Sequence, residues 1–302
     1  MRGAVSLAQR LGVSPLVVGL TIVGFGTSLP EMVVSVNAAL VGSPGLAVGN
    51  VIGSNIANML LIMGTAAIIA PITVKPAVVR RDTAAMAGGT LIYISFGMTG
   101  LIVLWQGAVM LAVLSAYIAF TVWHDNKTKD AGTEMHREET EEIELIPLRT
   151  ISICGIVVTG LFAVVIGAEW LVTGATRLAK DFGVPEEVIG LTVVAIGTSL
   201  PELATSIVAA YRGHSDFCVG NVLGSNIFNL FGITGVTALL APLPFLGKIV
   251  DFDLWVLLGV TAMLTVFMLG NIRMVRSVGL AFVIGYLVYV AAQFLGVGGA
   301  MP

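Results

Sequence analysis

Gly26-Thr27-Ser28-Leu29-Pro30-Glu31 occurs twice, the second time letter for letter as Gly197-Thr198-Ser199-Leu200-Pro201-Glu202. Each copy lies inside a long apolar run. A carboxylate at the middle of such a run costs about 2.5 to 3.5 kcal/mol to insert, so its default meaning is functional. Glu31 and Glu202 stand 171 positions apart, and the pair predicts one cation site in a membrane transporter, half of it from each copy.

The same offset extends well beyond the hexapeptide. Between Leu7–Glu31 and Leu178–Glu202, fifteen of twenty-five positions are identical without a gap. It also pairs Gly49-Asn50 with Gly220-Asn221, Gly53-Ser54-Asn55-Ile56 with Gly224-Ser225-Asn226-Ile227, Asn58 with Asn229, Pro71 with Pro242 and Asp82 with Asp253. The chain is an internal duplication, a feature to be sought before any other.

Composition sets the solvent. Of 302 residues 57% are hydrophobic and 11% charged, and the mean hydropathy is +0.98, whereas a soluble domain is about one quarter charged. This is the profile of an all-α polytopic membrane protein. Fifteen Lys and Arg against eighteen Asp and Glu form no basic stripe of the kind that tracks phosphates, so no nucleic acid partner is expected. Cys154 and Cys218 show no metal or redox spacing.

Runs near the roughly 20 apolar residues that cross a bilayer fall at about 14–41, 46–70, 83–100, 104–123, 150–174, 184–211, 217–241, 252–270 and 276–295, nine candidate helices. The chain divides into a first repeat, 1–123, a hydrophilic acidic segment, 124–149, and a second repeat, 150–302. The second repeat has five helices and the first four. Under the offset Met1 falls on Val172, so the first repeat is expected to lack its opening helix. An odd number of helices per complete repeat makes the two repeats cross the membrane in opposite directions, an arrangement common in secondary transporters. Alternating helices place twelve of the fifteen Lys and Arg on one side and leave Arg177, Lys180 and Lys248 on the other. By the positive-inside rule the acidic segment is then cytoplasmic and the C-terminus outside.

Pro30 lacks an N–H and crowds the preceding turn, so the hexapeptide is expected to break its helix, and Pro201 repeats the effect. Freed backbone at membrane depth is tolerated where it lines a polar cavity. Thr27 and Glu31, spaced i and i+4, are expected to share a helix face, as are Ser54 and Asn58, and likewise their mates Thr198 with Glu202 and Ser225 with Asn229. With Ser28 and Ser199 these are all oxygen donors, the set that Ca²⁺ and other hard cations take. Neither motif holds the His or Cys that zinc, copper or iron favour. Two glutamates balance one divalent ion or several monovalent ones, and a site that must always be neutralised favours exchange over leak.

The paired G-T-S-L-P-E and G-N-x-x-G-S-N-I-x-N motifs resemble the two alpha repeats of the cation/calcium exchanger superfamily, especially prokaryotic sodium/calcium exchangers. The resemblance implies ten helices in two inverted five-helix repeats. It implies Glu31 and Glu202 as principal calcium ligands, with Thr27, Ser28, Ser54, Thr198, Ser199 and Ser225 coordinating calcium or sodium. Gly24 and Ala195 fall where the family offers a backbone carbonyl to sodium, and Asn58 and Asn229 complete the ring. Some relatives have Asp where Asn229 stands, so this chain has one ionisable group fewer.

The expected activity is antiport of calcium against sodium across the cytoplasmic membrane by alternating access, with the two ions as substrates, no cofactor, no enzymatic step and a monomer as the transport unit. Proton/cation exchange is the nearest alternative. A passive channel and an inactive, N-terminally truncated chain rank below it. A hydrolase built on Ser28 or Ser199 lacks an intramembrane His or Lys as base.

Overall fold

Two glycines in the left-handed conformation, Gly42 (φ 86°) and Gly213 (φ 82°), close equivalent turns 171 positions apart. Positive φ is where a residue without Cβ is favoured. Each ends the helix that carries a glutamate of the repeated motif and lets the chain double back into the next helix. The computed structural model describes residues 26–73, 76–127, 149–213, 215–245 and 247–296. Gly24, the rest of residues 1–25 and most of the acidic segment lie outside these.

In chain order the helices are α1 Leu29–Leu40, α2 Pro44–Ile69, α3 Pro76–Gly97, α4 Leu104–Lys127, α5 Thr150–Phe182, α6 Glu186–Thr198, α7 Leu200–Arg212, α8 Phe217–Leu240, α9 Ile249–Leu269 and α10 Arg276–Phe294. Helix covers the described part of every apolar run. Several helices outrun those windows: α3 starts at Pro76 instead of 83, α4 continues to Lys127 and α5 to Phe182. Hydropathy marks the stretch suited to the hydrocarbon core, and a helix continues past it into the polar interface.

Among the described residues, five helices (α2, α4, α8, α9 and α10) are long and apolar enough to cross a membrane, and α6 with α7 makes a sixth if the bent pair is one span. Helix α3 carries Arg80, Arg81 and Asp82 near its start, which dilutes its apolar character. Helical backbone satisfies its own hydrogen bonds, the condition for entering lipid.

Contacts between the halves come in reciprocal pairs. Gly64 of α2 meets the backbone of Gly279 in α10, and Gly235 of α8 meets that of Gly107 in α4. An isolated bridge joins Ile72 to Met274, while a short antiparallel pair, β1 Leu101–Ile102 and β2 Leu243–Pro244, aligns Ile102 with Leu243. Gly235 and Leu243 are the 171-offset mates of Gly64 and Ile72, and Gly279 and Met274 lie 172 beyond Gly107 and Ile102. Thr90 meets its own mate, Thr261, at 3.3 Å. Each repeat thus supplies the other with the contacts it receives.

Helix α2 and helix α6 lie backbone to backbone. A Cβ on Gly49 would run into the Glu187 carbonyl and the Gly190 Cα, one on Gly190 into the Leu46 carbonyl, and one on Gly53 into Leu191 and Ala195. Small residues at such seams are the usual device for close helix approach in lipid.

Candidate cation site

Both copies of the hexapeptide adopt the same backbone. Ser28 (φ −84°, ψ 8°) precedes α1, whose first turn contains Pro30 and Glu31; Ser199 (φ −84°, ψ 7°) precedes α7, whose first turn contains Pro201 and Glu202. Helices α6 and α7 meet at 46° across Ser199. The broken helix expected from proline is present. The expected face-sharing of Thr27 with Glu31 and of Thr198 with Glu202 is not: Thr198 is the last residue of α6 and Glu202 belongs to α7, and Thr27 likewise precedes the start of α1. The i, i+4 rule needs continuous helix, which the proline interrupts.

A serine before a helix usually caps it, its Oγ accepting a first-turn N–H, and Ser-x-x-Glu is the pattern of a reciprocal capping box. Neither serine makes a side-chain cap bond here. Instead Ser28 Oγ donates to Glu202 Oε1 at 3.1 Å, and Ser199 Oγ donates to Glu31 Oε1 at 2.9 Å. The serine half of each capping box is unmade, and each serine bonds the other repeat's glutamate side chain instead. Both glutamates are fully buried, and neither is ion-paired with a described residue. Each keeps one carboxylate oxygen, Oε2, without a hydrogen-bond partner.

The remaining predicted residues stand on the helices around this exchange. Ser54 Oγ donates to Asn50 Oδ1 at 3.5 Å and Thr27 Oγ1 lies 3.4 Å from Ser225 Oγ. Asn58 and Asn229 occupy π-helical segments, Asn58–Ile62 in α2 and Phe228–Ile233 in α8. The first packs against α7 and the second against α1. Such segments recur at functional sites. Asn58 Nδ2 donates to Asn226 Oδ1 at 3.1 Å and leaves its own Oδ1 unpartnered; neither polar atom of Asn229 has a partner. The Ala195 carbonyl accepts from Ser199 N at 3.1 Å and from Thr198 Oγ1 at 3.3 Å. Gly24 lies outside the described residues.

Two asparagines outside the predicted set hold the glutamates' backbone. Asn50 Nδ2 donates to the Glu31 carbonyl at 3.2 Å and to Ser35 Oγ at 2.9 Å. Asn221 Nδ2 donates to the Glu202 carbonyl at 3.3 Å and to Ser206 Oγ at 3.1 Å. Their signal in the sequence is the 171 offset, which relates Asn50 to Asn221 and Ser35 to Ser206.

Buried acceptors without donors are rare in native structures and each calls for a cause. Here the unpartnered oxygens of Glu31, Glu202, Asn58 and Asn229 are all hard donors, suited to Ca²⁺ or Na⁺. No cluster of three or more His, Cys, Asp or Glu suited to a metal occurs among the described residues; the acids present here are the two glutamates, among hydroxyl, amide and carbonyl oxygens.

Comparison with known proteins identifies the family. The family model described as sodium/calcium exchanger protein matches residues 1–123 and 152–295. The chain is 34% identical over 278 residues to the putative antiporter CaxA of Alkalimonas amylolytica, covering 91% of this chain and 86% of that protein. It is 38% identical over 240 residues to the inner membrane protein YrbG of Escherichia coli strain K12, covering 78% and 73%. Against the sodium/calcium exchanger MaX1 of Methanosarcina acetivorans it is 28% identical over 325 residues, covering 97% and 93%. The sodium-calcium exchanger NCX_Mj, soaked with 2.5 mM Na⁺ and 0.1 mM Ca²⁺, superposes with a TM-score of 0.68 at 30% identity, covering 96% of this chain and 90% of that one. The chain belongs to the sodium/calcium exchanger family and is a multi-pass membrane antiporter of that kind.

Proposed function

We infer that this chain exchanges calcium for sodium across the cytoplasmic membrane, with Glu31 and Glu202 as the two halves of one midplane site. The observation that carries the reading is the exchanged pair of Ser–Glu bonds, Ser28 to Glu202 and Ser199 to Glu31. They hold two buried carboxylates together through hydroxyl donors with no cationic side chain beside them among the described residues. Two negative charges in low dielectric demand a compensating cation, because an unpaired buried charge is prohibitively costly. One Ca²⁺ or a set of Na⁺ ions meets that demand, so the site is released from one ion only as it takes the other.

Thr27, Ser28, Ser54, Thr198, Ser199 and Ser225 supply hydroxyl or backbone oxygens, Gly24 and Ala195 carbonyls, and Asn58 and Asn229 amide oxygens. The repeats lie in opposite orientations, each complete repeat having five helices. The reciprocal inter-repeat contacts support a two-fold relation of this kind, and alternating access follows as one repeat rocks against the other. The acidic segment is cytoplasmic and the C-terminus outside, as the Lys/Arg distribution requires. The transport unit is a monomer.

The test is sodium-gradient-dependent uptake of radiolabelled calcium into everted vesicles. Glu31→Gln and Glu202→Gln are each expected to abolish it while the protein remains folded by size-exclusion profile. Normal exchange in both variants would sink the two-glutamate site. Uptake driven by a pH gradient without sodium would replace sodium by the proton as the coupling ion.

A further inference from the structure

The two asparagines behind the glutamates share two bonds at one end and differ at the other. Their Nδ2 atoms bind equivalent partners, the Glu31 carbonyl and Ser35 for Asn50, the Glu202 carbonyl and Ser206 for Asn221, and Asn221 Nδ2 also lies 3.3 Å from Thr205 Oγ1, where the first repeat has Val34. Asn50 Oδ1 accepts from Thr198 Oγ1 at 3.2 Å and from Ser54 Oγ at 3.5 Å. Asn221 Oδ1 is buried with no partner among the described residues. Thr27, the mate of Thr198, does not reach it and lies instead 3.4 Å from Ser225 Oγ. Equivalent residues in equivalent backbone are thus in two hydrogen-bonding states within one molecule.

Thr198 also connects this difference to the ions. Its one hydroxyl hydrogen is shared among Asn50 Oδ1 at 3.2 Å and the carbonyls of Val194 at 3.1 Å and Ala195 at 3.3 Å, with the Glu31 carboxylate also beside it. A hydroxyl donates one hydrogen. When it goes to Asn50, the Ala195 carbonyl keeps a lone pair for a cation; when Asn50 is withdrawn, the hydrogen returns to the helix's own carbonyls.

We propose that Asn50 and Asn221 are positioning residues forming two alternative latches, Thr198 to Asn50 in the arrangement seen here and Thr27 to Asn221 in the oppositely facing one. The inference rests on the exchange reading above, since it assigns the latches to the two ends of an alternating-access cycle. In a pseudo-symmetric pair the second state is reached by giving each repeat the arrangement of the other. The unpartnered Asn221 acceptor is then the latch left open in this state.

The test uses Asn50→Leu and Asn221→Leu in the full chain. Both lose the bonds to the glutamate carbonyl and the neighbouring serine, and Asn221→Leu loses the Thr205 contact as well; these losses act in one direction, so the opposite signs come from the acceptor ends. Apparent calcium affinity for transport is measured from each face, in right-side-out and everted vesicles. Relative to wild type the two variants are expected to shift in opposite directions on a given face, by about five-fold each, the equilibrium weight of one ordinary hydrogen bond. In parallel, hydrogen–deuterium exchange of the purified protein is followed around 195–199 and around 26–28. Asn50→Leu should deprotect the first segment relative to the second, and Asn221→Leu the reverse. Shifts of the same sign in both variants, or none, would overturn the latches. Wild type that exchanges no calcium for sodium overturns the transport reading, while the hydrogen-exchange comparison still decides the latches. Should the leucine variants fail to fold, Asn50→Ser and Asn221→Ser, polar but too short to bridge, give the same contrast.

Discussion

Helices α2 and α8 are comparably apolar to α4, α9 and α10, yet they occupy opposite environments. About four fifths of the spanning windows of α2 and α8 are buried (78% and 83%), against 22%, 33% and 28% for α4, α9 and α10. Overall hydropathy therefore does not sort interior from periphery in a bilayer, where lipid is as apolar as leucine. What separates them is the kind of polar or small residue they carry. Helix α2 has Gly45, Gly49, Asn50, Gly53, Ser54, Asn55 and Asn58, nearly all buried against other helices. The outward faces of α4, α9 and α10 show Trp105, Trp123, Trp255, Val266, Leu280 and Leu287, large exposed side chains. Interior helices meet through backbone and amides; peripheral ones present bulk.

This contrast is most exposed to failure at the α2–α6 seam. Gly49→Val places side-chain carbons where the Glu187 carbonyl and Gly190 Cα now lie. Backbone cannot give way as a side chain tip does, so the expected cost is at or above the upper end of overpacking, about 3 kcal/mol. It should be read as loss of the monodisperse peak in detergent. A Gly49→Val protein with wild-type thermal stability would mean that the helices do not approach as described.

A smaller effect tests the outer pairs, where each repeat ties two helices through a buried acid. Tyr117 donates to Asp82 Oδ1 at 2.8 Å, joining α3 to α4. Tyr289 donates to Asp253 Oδ1 at 3.0 Å, joining α9 to α10, with Gln293 at 2.6 Å beside it. Tyr117→Phe and Tyr289→Phe should each lower stability by about 1.5 to 3 kcal/mol, the scale of a hydrogen bond to a charged group. Asp82 also pairs with Arg81 at 2.9 Å, so Tyr289→Phe should be the costlier in thermal melts. An equal or inverted order would show that the arginine contributes nothing to the first pair.

The least effect is expected at the lipid-facing surface. Val266→Ala and Leu287→Ala remove exposed carbons and should change stability by under about 0.5 kcal/mol, with calcium uptake unaltered. A large loss at either would reveal a protein neighbour on that face, and with it an oligomer.

The duplication, the membrane solvent, the helical class and the two glutamates were legible because each depends on local chemistry: run length, the cost of a buried carboxylate, and identity at a constant offset. The predicted proline break is present at Ser199 for the same local reason. Helix ends were less legible, as with α5, which continues to Phe182, since hydropathy ceases to report once a helix leaves the hydrocarbon. Asn50 and Asn221 were visible as a repeated pair, but their use as backbone clamps was not, because an amide reads alike whether it binds an ion or a neighbouring helix.

Ser28-Leu29-Pro30-Glu31 marks the limit. By itself the sequence determined that Pro30 disrupts the helix there and that Glu31 is a costly carboxylate repeated as Glu202; that Ser28 precedes and Glu31 belongs to the first turn of a new helix is a finding of the structure. Which serine serves which glutamate was decided only by tertiary structure. Within one copy a capping box would join Ser28 Oγ to the Glu31 N–H and the Glu31 carboxylate to the Ser28 N–H, and no property of six residues predicts otherwise. Packing the two repeats against each other brings Ser199 to 2.9 Å from Glu31 and Ser28 to 3.1 Å from Glu202. The two helix starts thereby face each other in one candidate site, because long-range packing chooses the partners of groups whose identities are set locally.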